Sequence, residues 1–374
     1  MKIAVIRRSC SLKLGGAERY CANVSLGLNS LGHKVTVIAD YSGLENVDFE
    51  RAKVIGRGSI LKNLSFFYSV KKLLKEQGFD IVYGLSRVEG VDCLRISDPL
   101  HKVWLELGYG ESPFHRIIRM FSPRHLSILY QEKRAINTSR FIITNSNMVK
   151  EQVSRYYDIS ERHIFTIYNG VDLNRFRPIS EKEKREFKEE FCIDEDKALL
   201  VFAGSDYRRK GLFILFDALK KLLKEKYPFH LVVLGVSTKE GKPFKRCLES
   251  GLEEHVSFMG YRHDSERFFS AADLLCLPTL YDPFANVCLE SMACGTPVIT
   301  TNSNGASELV KMVSKDLVIK EPTPQAVLTA LNHFFSLKED DKEELQNKSL
   351  LIAKKYSWKD HIKKLEELFT IFLD

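Results

Sequence analysis

At 374 residues the chain is longer than one comfortable core requires and suits two domains, each large enough to bury most of its apolar surface. Lys and Arg number 56 against 49 Asp and Glu, a dispersed excess of +7 that suits an anionic substrate or an acidic surface and argues against a nucleic-acid partner. The eight cysteines show no C-x-x-C spacing and mostly stand in apolar runs, as Cys276, Cys288 and Cys294 do. They read as small hydrophobes in a reducing compartment, with no His/Cys cluster spaced for a metal.

In chain order, KIAVIR at the start, KVTVIA from Lys34, DIVYGL from Asp80 and FIITNS from Phe141 are short β-branched runs separated by helical stretches. This is the rhythm of a doubly wound parallel α/β sheet. The first run is broken by Arg7 and Arg8, too short for an export signal, and no apolar run has the length to span a bilayer. The expectation is a cytoplasmic protein that can still touch the inner membrane. Between the first two strands, Gly15 and Gly16 open a helix that ends near Gly32. Glycines after a strand and at a helix N-terminus let backbone amides approach an anion, and a plain tight turn uses the same residues. The loop is not G-x-G-x-x-G and lacks the acid that ends the second strand of a nicotinamide site.

LRISDPLHKVW puts Asp98 and His101 just past a strand end, where catalytic groups sit; a packing or surface histidine fits the same place. From Ser112 onward, Phe114, Ile117, Ile118 and Phe121 recur at helical spacing with His115, Arg116 and Arg119 opposite, and Ser122–Pro123 restarts a second helix. Seven Lys/Arg against three Glu between Lys102 and Arg140 make this pair basic. It either packs on its own sheet with a solvated basic face or meets a membrane surface.

Composition changes after the Asn–Gly turn of HIFTIYNGVDL, where the charged run EKEKREFKEE follows, so a domain boundary is expected near Val171. The expected domains are residues 1–170, 171–356 and a final helix, 357–374, with Ser357 as its cap. KALLVFAG, HLVVLG, HVSFMG, DLLCLPT and VITTN then repeat the strand-and-helix rhythm. After KALLVFAG comes SDYRRKGLFILF, with Arg208, Arg209 and Lys210 in the turn before a helix. Cations there oppose the helix dipole unless an anion sits between them and the helix, which argues for phosphate; solvated loop charges are the alternative. The D-x-D pair Asp194 and Asp196 precedes a strand instead of following one and reads as a charged loop.

The densest stretch is LPTLYDPFANVCLESMACGTPVITT, residues 277–301. It reads as strand, loop, helix, strand, with Asn286 capping the helix, Gly295 stopping it and Pro297 opening the next strand. Asp282 and Glu290, with seven residues between them, flank the crevice where open parallel sheets bind ligands. Glu290 stands among apolar residues and so needs a partner, whether a ligand, an arginine or backbone amides.

These two acids with the following ACGTPVIT resemble the donor motif of the retaining GT-B glycosyltransferases of family 4, the group 1 type. The resemblance runs from the Gly15 loop to the last helix. It implies two facing Rossmann-like domains, the first binding acceptor and the second donor, with the C-terminal helix crossing back to the first. In that family the second acid, here Glu290, accepts hydrogen bonds from the donor ribose; the first lies beside the sugar and is here Asp282 in place of Glu. R-K-G matches Arg209, Lys210 and Gly211, whose cations contact the diphosphate. Phe284, Ala285, Asn286 and Val287, with Gly15 and Gly16, complete the implied donor site, and Asp98 and His101 are the candidates for orienting the acceptor.

Together, YDPFANVCLESMACGTPVITT, SDYRRKG and YNGVD look most like the lipopolysaccharide core glucosyltransferases, which implies glucose transfer from UDP-glucose to an inner-core heptose. The resemblance implies no metal and no cofactor, only a nucleotide sugar and an anionic glycolipid or oligosaccharide acceptor. It also implies same-face attack, the departing phosphate taking the acceptor's proton, because the sequence offers no clear carboxylate nucleophile. A mannosyl- or N-acetylglucosaminyltransferase would share every motif, a UDP-sugar epimerase would share the architecture, and a non-catalytic sugar-nucleotide binder would hold donor without turning it over.

Overall fold

The computed structural model describes residues 1–107, 122–225, 227–236 and 241–373. The helical run expected at 112–121 lies outside the described residues. The chain forms two compact units, Met1–Asn169 with Trp358–Asp374, and Gly170–Ser357.

The first unit is built on a seven-stranded parallel sheet in the order Asp48–Arg51, Lys34–Ala39, Lys2–Ile6, Ile81–Gly84, Cys93–Ile96, Phe141–Thr144, Ile164–Thr166. Because Lys2–Ile6 lies inside, the chain winds first towards one edge and then towards the other. Strand order therefore reverses between Lys2–Ile6 and Ile81–Gly84, and a crevice opens at their carboxyl ends. Helix Gly16–Ser30 buries Cys21, Val24 and Leu28 against the sheet. The last helix, Trp358–Ile371, adds Ile362, Leu365 and Phe369 to the same core, so the C-terminal segment belongs to the first unit. The two helices come so close that a Cβ on Gly27 would stand 2.6 Å from Ile362 Cγ1.

A buried polar chain fixes the last helix further. His361 Nδ1 lies 2.7 Å from the Tyr168 carbonyl, which only accepts, so Nδ1 carries the proton and Nε2 accepts from the Tyr20 hydroxyl at 2.8 Å. Tyr83 then donates to the Tyr20 oxygen at 3.0 Å.

The second unit repeats the plan with six parallel strands: Val256–Gly260, Phe229–Leu234, Ala198–Ala203, Leu274–Leu277, Val298–Thr301, Val318–Ile319. Its order reverses between Ala198–Ala203 and Leu274–Leu277. The inner strands Ala198–Ala203 and Leu274–Leu277 are apolar and almost wholly buried, as strands covered by helices on both faces must be. All eight cysteines are free, and all but Cys192 are buried. No helix among the described residues is long and apolar enough to cross a membrane.

Candidate active site

In the second unit the two segments that leave the reversal point, 204–211 and 278–285, are zipped together. Leu280 N and Thr279 Oγ1 both donate to the Arg209 carbonyl at 2.8 Å. Gly211 ends the first segment at φ +82°, and a Cβ there would stand 2.0 Å from the Pro278 carbonyl oxygen. Only glycine permits that approach. The helix Leu212–Leu222 begins at the next residue.

The zipper brings three of the sequence candidates into one cluster. Asp282 Oδ2 accepts from Lys210 Nζ at 2.6 Å and from Arg209 Nη1 at 2.7 Å. Asp282 Oδ1 accepts from Phe284 N at 3.2 Å. Arg209 also donates to the Tyr281 carbonyl at 2.9 Å and to exposed Asp206 at 3.1 Å. Burial alone would push the Asp282 carboxyl up, but Lys210 and Arg209 outweigh it and hold the group below the ordinary carboxylate range. Asp282 is thus a constant anion, 6 % exposed.

Two sequence arguments change here. The cations already have an anion within the chain, the Asp282 carboxylate. And of the two acids of the motif, the buried one is Asp282; Glu290 is half-buried. Asp282 holds two long, flexible cations in place at the cost of one of their two positive charges.

Glu290 lies on the helix Asn286–Ala293, whose less buried positions are Asn286, Val287 and Glu290. Spacings of three and four residues put these on one helical face, so three of the residues assigned to the donor share a face while Phe284 and Ala285 are buried beneath it. Asn286 is not the cap that the sequence predicted. It is the first helical residue, Ala285 takes the cap position, and the Asn304 side chain accepts from Ala285 N at 3.1 Å. Gly295, at φ +83°, follows the helix as expected.

The first unit has a cavity of about 260 Å³ at its own reversal point, lined by Arg7 and Arg8 after one central strand and by Leu85, Ser86 and Arg87 after the other. Asp98 is on its wall, about half exposed and 3.3 Å from Arg7 Nη1. His101 is not among the lining residues. Its ring stacks on both Trp104 and His125, which also meet each other, with Nε2 2.9 Å from His125 Nδ1, and burial chiefly lowers its pKa to about 4. Gly15 and Gly16 are exposed at the start of the Gly16–Ser30 helix, and Glu18 from that turn reaches the cavity wall. Among the described residues no group of three or more His, Cys, Asp or Glu could hold a metal ion.

Two family models match the chain, glycosyl transferases group 1 over residues 183–367 and glycosyltransferase family 4 over residues 14–175. The chain belongs to these glycosyltransferases. An uncharacterized glycosyltransferase of Methanocaldococcus jannaschii is 24% identical over 100% of this chain and 99% of its own length. The lipopolysaccharide glucosyltransferase WaaG of Escherichia coli is 25% identical, over 84% of both chains. Among solved structures, WaaG superposes with a TM-score of 0.81 at 19% identity, covering 98% of this chain and 99% of that one. Anabaena HepE, in complex with UDP and glucose, gives 0.74 at 19% identity, covering 99% of each. The fold is GT-B, with two Rossmann-like halves.

In this glycosyltransferase the cavity of the first unit is what sequence reasoning missed. Arg87, Arg95, Gln131 and Glu132 line it, and none stood out in the sequence. One signal was available: Arg95 is a cation inside CLRI, a strand buried at every position. Glu132, 3 % exposed, accepts from His101 N, Arg87 Nε and Tyr157 Oη. It thereby caps the helix His101–Leu107 from across the unit.

Proposed function

We propose that this glycosyltransferase moves a hexose from a nucleoside diphosphate sugar, UDP-glucose first, to an inner-core heptose of lipopolysaccharide, with retention at the anomeric carbon. In this reading the second unit holds the donor and the first the acceptor. The observation that carries it is the Arg209–Lys210 pair, fixed by a buried carboxylate at the carboxyl ends of the central strands, beside the helix that bears Glu290. Preorganised cations there stabilise the charge that builds on a departing diphosphate. They are positive charge supplied by the protein itself, so the transfer is proposed to need no added metal.

The reaction requires the anomeric C–O bond to break with its electron pair going to the diphosphate. The acceptor oxygen attacks from the same face, and its proton passes to the departing phosphate oxygen. The names of two likenesses, a lipopolysaccharide glucosyltransferase and a structure with UDP and glucose, support this choice of donor and acceptor. Work at the inner membrane's cytoplasmic face fits the described part of the basic region, where helix Pro123–Thr138 exposes Leu126 and Tyr130.

The test is a screen of UDP-glucose, UDP-N-acetylglucosamine and GDP-mannose against a truncated lipopolysaccharide core displayed in anionic vesicles, read by product mass. A hexose added from UDP-glucose, insensitive to EDTA, is the expected outcome. Transfer from another donor alone would replace the sugar assignment, and UDP release with an altered free sugar would make the protein an epimerase. Equal sedimentation with neutral and anionic vesicles would remove the membrane part.

A further inference from the structure

The first unit's cavity is rich in guanidinium groups, and its carboxylates do not neutralise all of them. Four arginines line it, Arg7, Arg8, Arg87 and Arg95, with three acids, Glu18, Asp98 and Glu132. Glu18 and Asp98 both pair with Arg7, at 3.6 and 3.3 Å, and Glu132 pairs with Arg87 at 2.8 Å. Arg8 and Arg95 have no ion pair among the described residues. Arg8 is exposed and donates to Asn63 Oδ1 at 3.2 Å.

Arg95 is the unusual member. It is 3 % exposed, its guanidinium lies 4.3 Å from the Tyr20 ring centroid, and Nη2 donates to Asn169 Oδ1 and to the Ile167 carbonyl. Its Nε and Nη1 have no hydrogen-bond partner, nor has Nε2 of Gln131, which is 4 % exposed and lines the same cavity. A buried cation without an acid is costly, and so is each buried donor left unpaired. All three shortages at this wall are of acceptors. A neutral sugar brings hydroxyls that both donate and accept. A phosphate monoester brings only charge and acceptor oxygens, which is what the wall lacks.

We propose that the cavity is a subsite for a phosphate monoester carried on the sugar acceptor. Arg8 meets the phosphate from the open side, and Arg95 and Gln131 supply the buried charge and donors behind it. This rests on the reading of the first unit as the acceptor-binding half and narrows it to phosphorylated sugars. A volume of about 260 Å³ suits a single sugar unit.

Calorimetric titration of the full-length protein with inorganic phosphate and with glucose 6-phosphate, glucose serving as the uncharged control, tests it. Both phosphates should bind and glucose should bind far more weakly. Arg8→Gln should weaken phosphate binding about tenfold, the usual size for one charge-assisted hydrogen bond. Arg95→Lys, which keeps the buried charge but loses the planar fork, should weaken it as well. Arg209→Ala, in the other unit, should leave glucose 6-phosphate binding unchanged. Phosphate binding that follows Arg209→Ala and ignores Arg8→Gln, or no binding by the wild type, overturns the proposal. UDP affinity measured on the same samples separates the two readings: a protein that binds glucose 6-phosphate through Arg8 and not UDP keeps this subsite and loses the donor assignment.

Discussion

The two units carry their candidate sites at equivalent places, the carboxyl ends of the strands where sheet order reverses, yet they settle their charge differently. In the second unit, two cations adjacent in sequence share one oxygen of a single buried acid, Asp282. In the first, four arginines come from two distant stretches, the adjacent Arg7 and Arg8 and then Arg87 and Arg95; two acids crowd on Arg7, and Arg95 has no acid partner among the described residues. A site whose anion is built in is rigid and complete before ligand arrives. A site whose cation is unpaired and buried draws on the fold's stability until something neutralises it.

Cutting the acid from each site gives the largest contrast. Asp282→Ala strands Arg209 and Lys210 against each other and should cost about 2–4 kcal/mol of stability, seen as a fall in Tm. Asp98→Ala removes a half-exposed partner of Arg7, which keeps Glu18, and should cost under about 1 kcal/mol. Equal shifts in the two variants would mean that the carboxylate of Asp282 is not the anchor described here.

A smaller effect is expected with pH. His361 in the first unit is held neutral mainly by burial, its pKa lowered to about 3, and His230 in the second to about 4, also mainly by burial. In the unfolded chain both take a proton near pH 6.5, so the unfolded state binds more protons between that value and the folded one. Stability should therefore decline as pH falls from about 6.5 towards 4. Melting temperatures at pH 7 and pH 5 check this, and His361→Gln should flatten the slope. An identical slope in the variant would contradict the assignment of His361 as the buried neutral partner of Tyr20 and Tyr168.

Much of the fold was legible because buried parallel strands are β-branched runs between helices, and VITT and ALLVFA could be little else. The strand Asp48–Arg51 was not legible. It is DFER, paired on one side only at the sheet edge and mostly exposed, so no apolar pattern marks it. The second unit's site was legible because turn and acid fall in two short motifs. Its internal logic was not, since the hydrogen bonds from Arg209 and Lys210 to Asp282 span more than seventy positions. The start of the Asn286 helix was misread by one residue: Ala285 takes the cap position, and Asn304, from beyond the following strand, holds it by accepting from Ala285 N. The first unit's cavity was hidden because the Arg7–Arg8 pair and the later Arg87 and Arg95 announce nothing until the sheet gathers them.

If the second unit holds the nucleotide through Glu290, as proposed, one variant shows it. Glu290→Gln keeps the shape, replaces one acceptor oxygen by a donor NH₂ and removes the charge that would strengthen the two ribose hydrogen bonds proposed for it. UDP affinity by calorimetry and Tm should be measured together on this variant and the wild type. Weaker UDP binding by about 1–3 kcal/mol with Tm nearly unchanged is the predicted result. A large fall in Tm with unaltered UDP affinity would make Glu290 a structural residue and contradict the donor site.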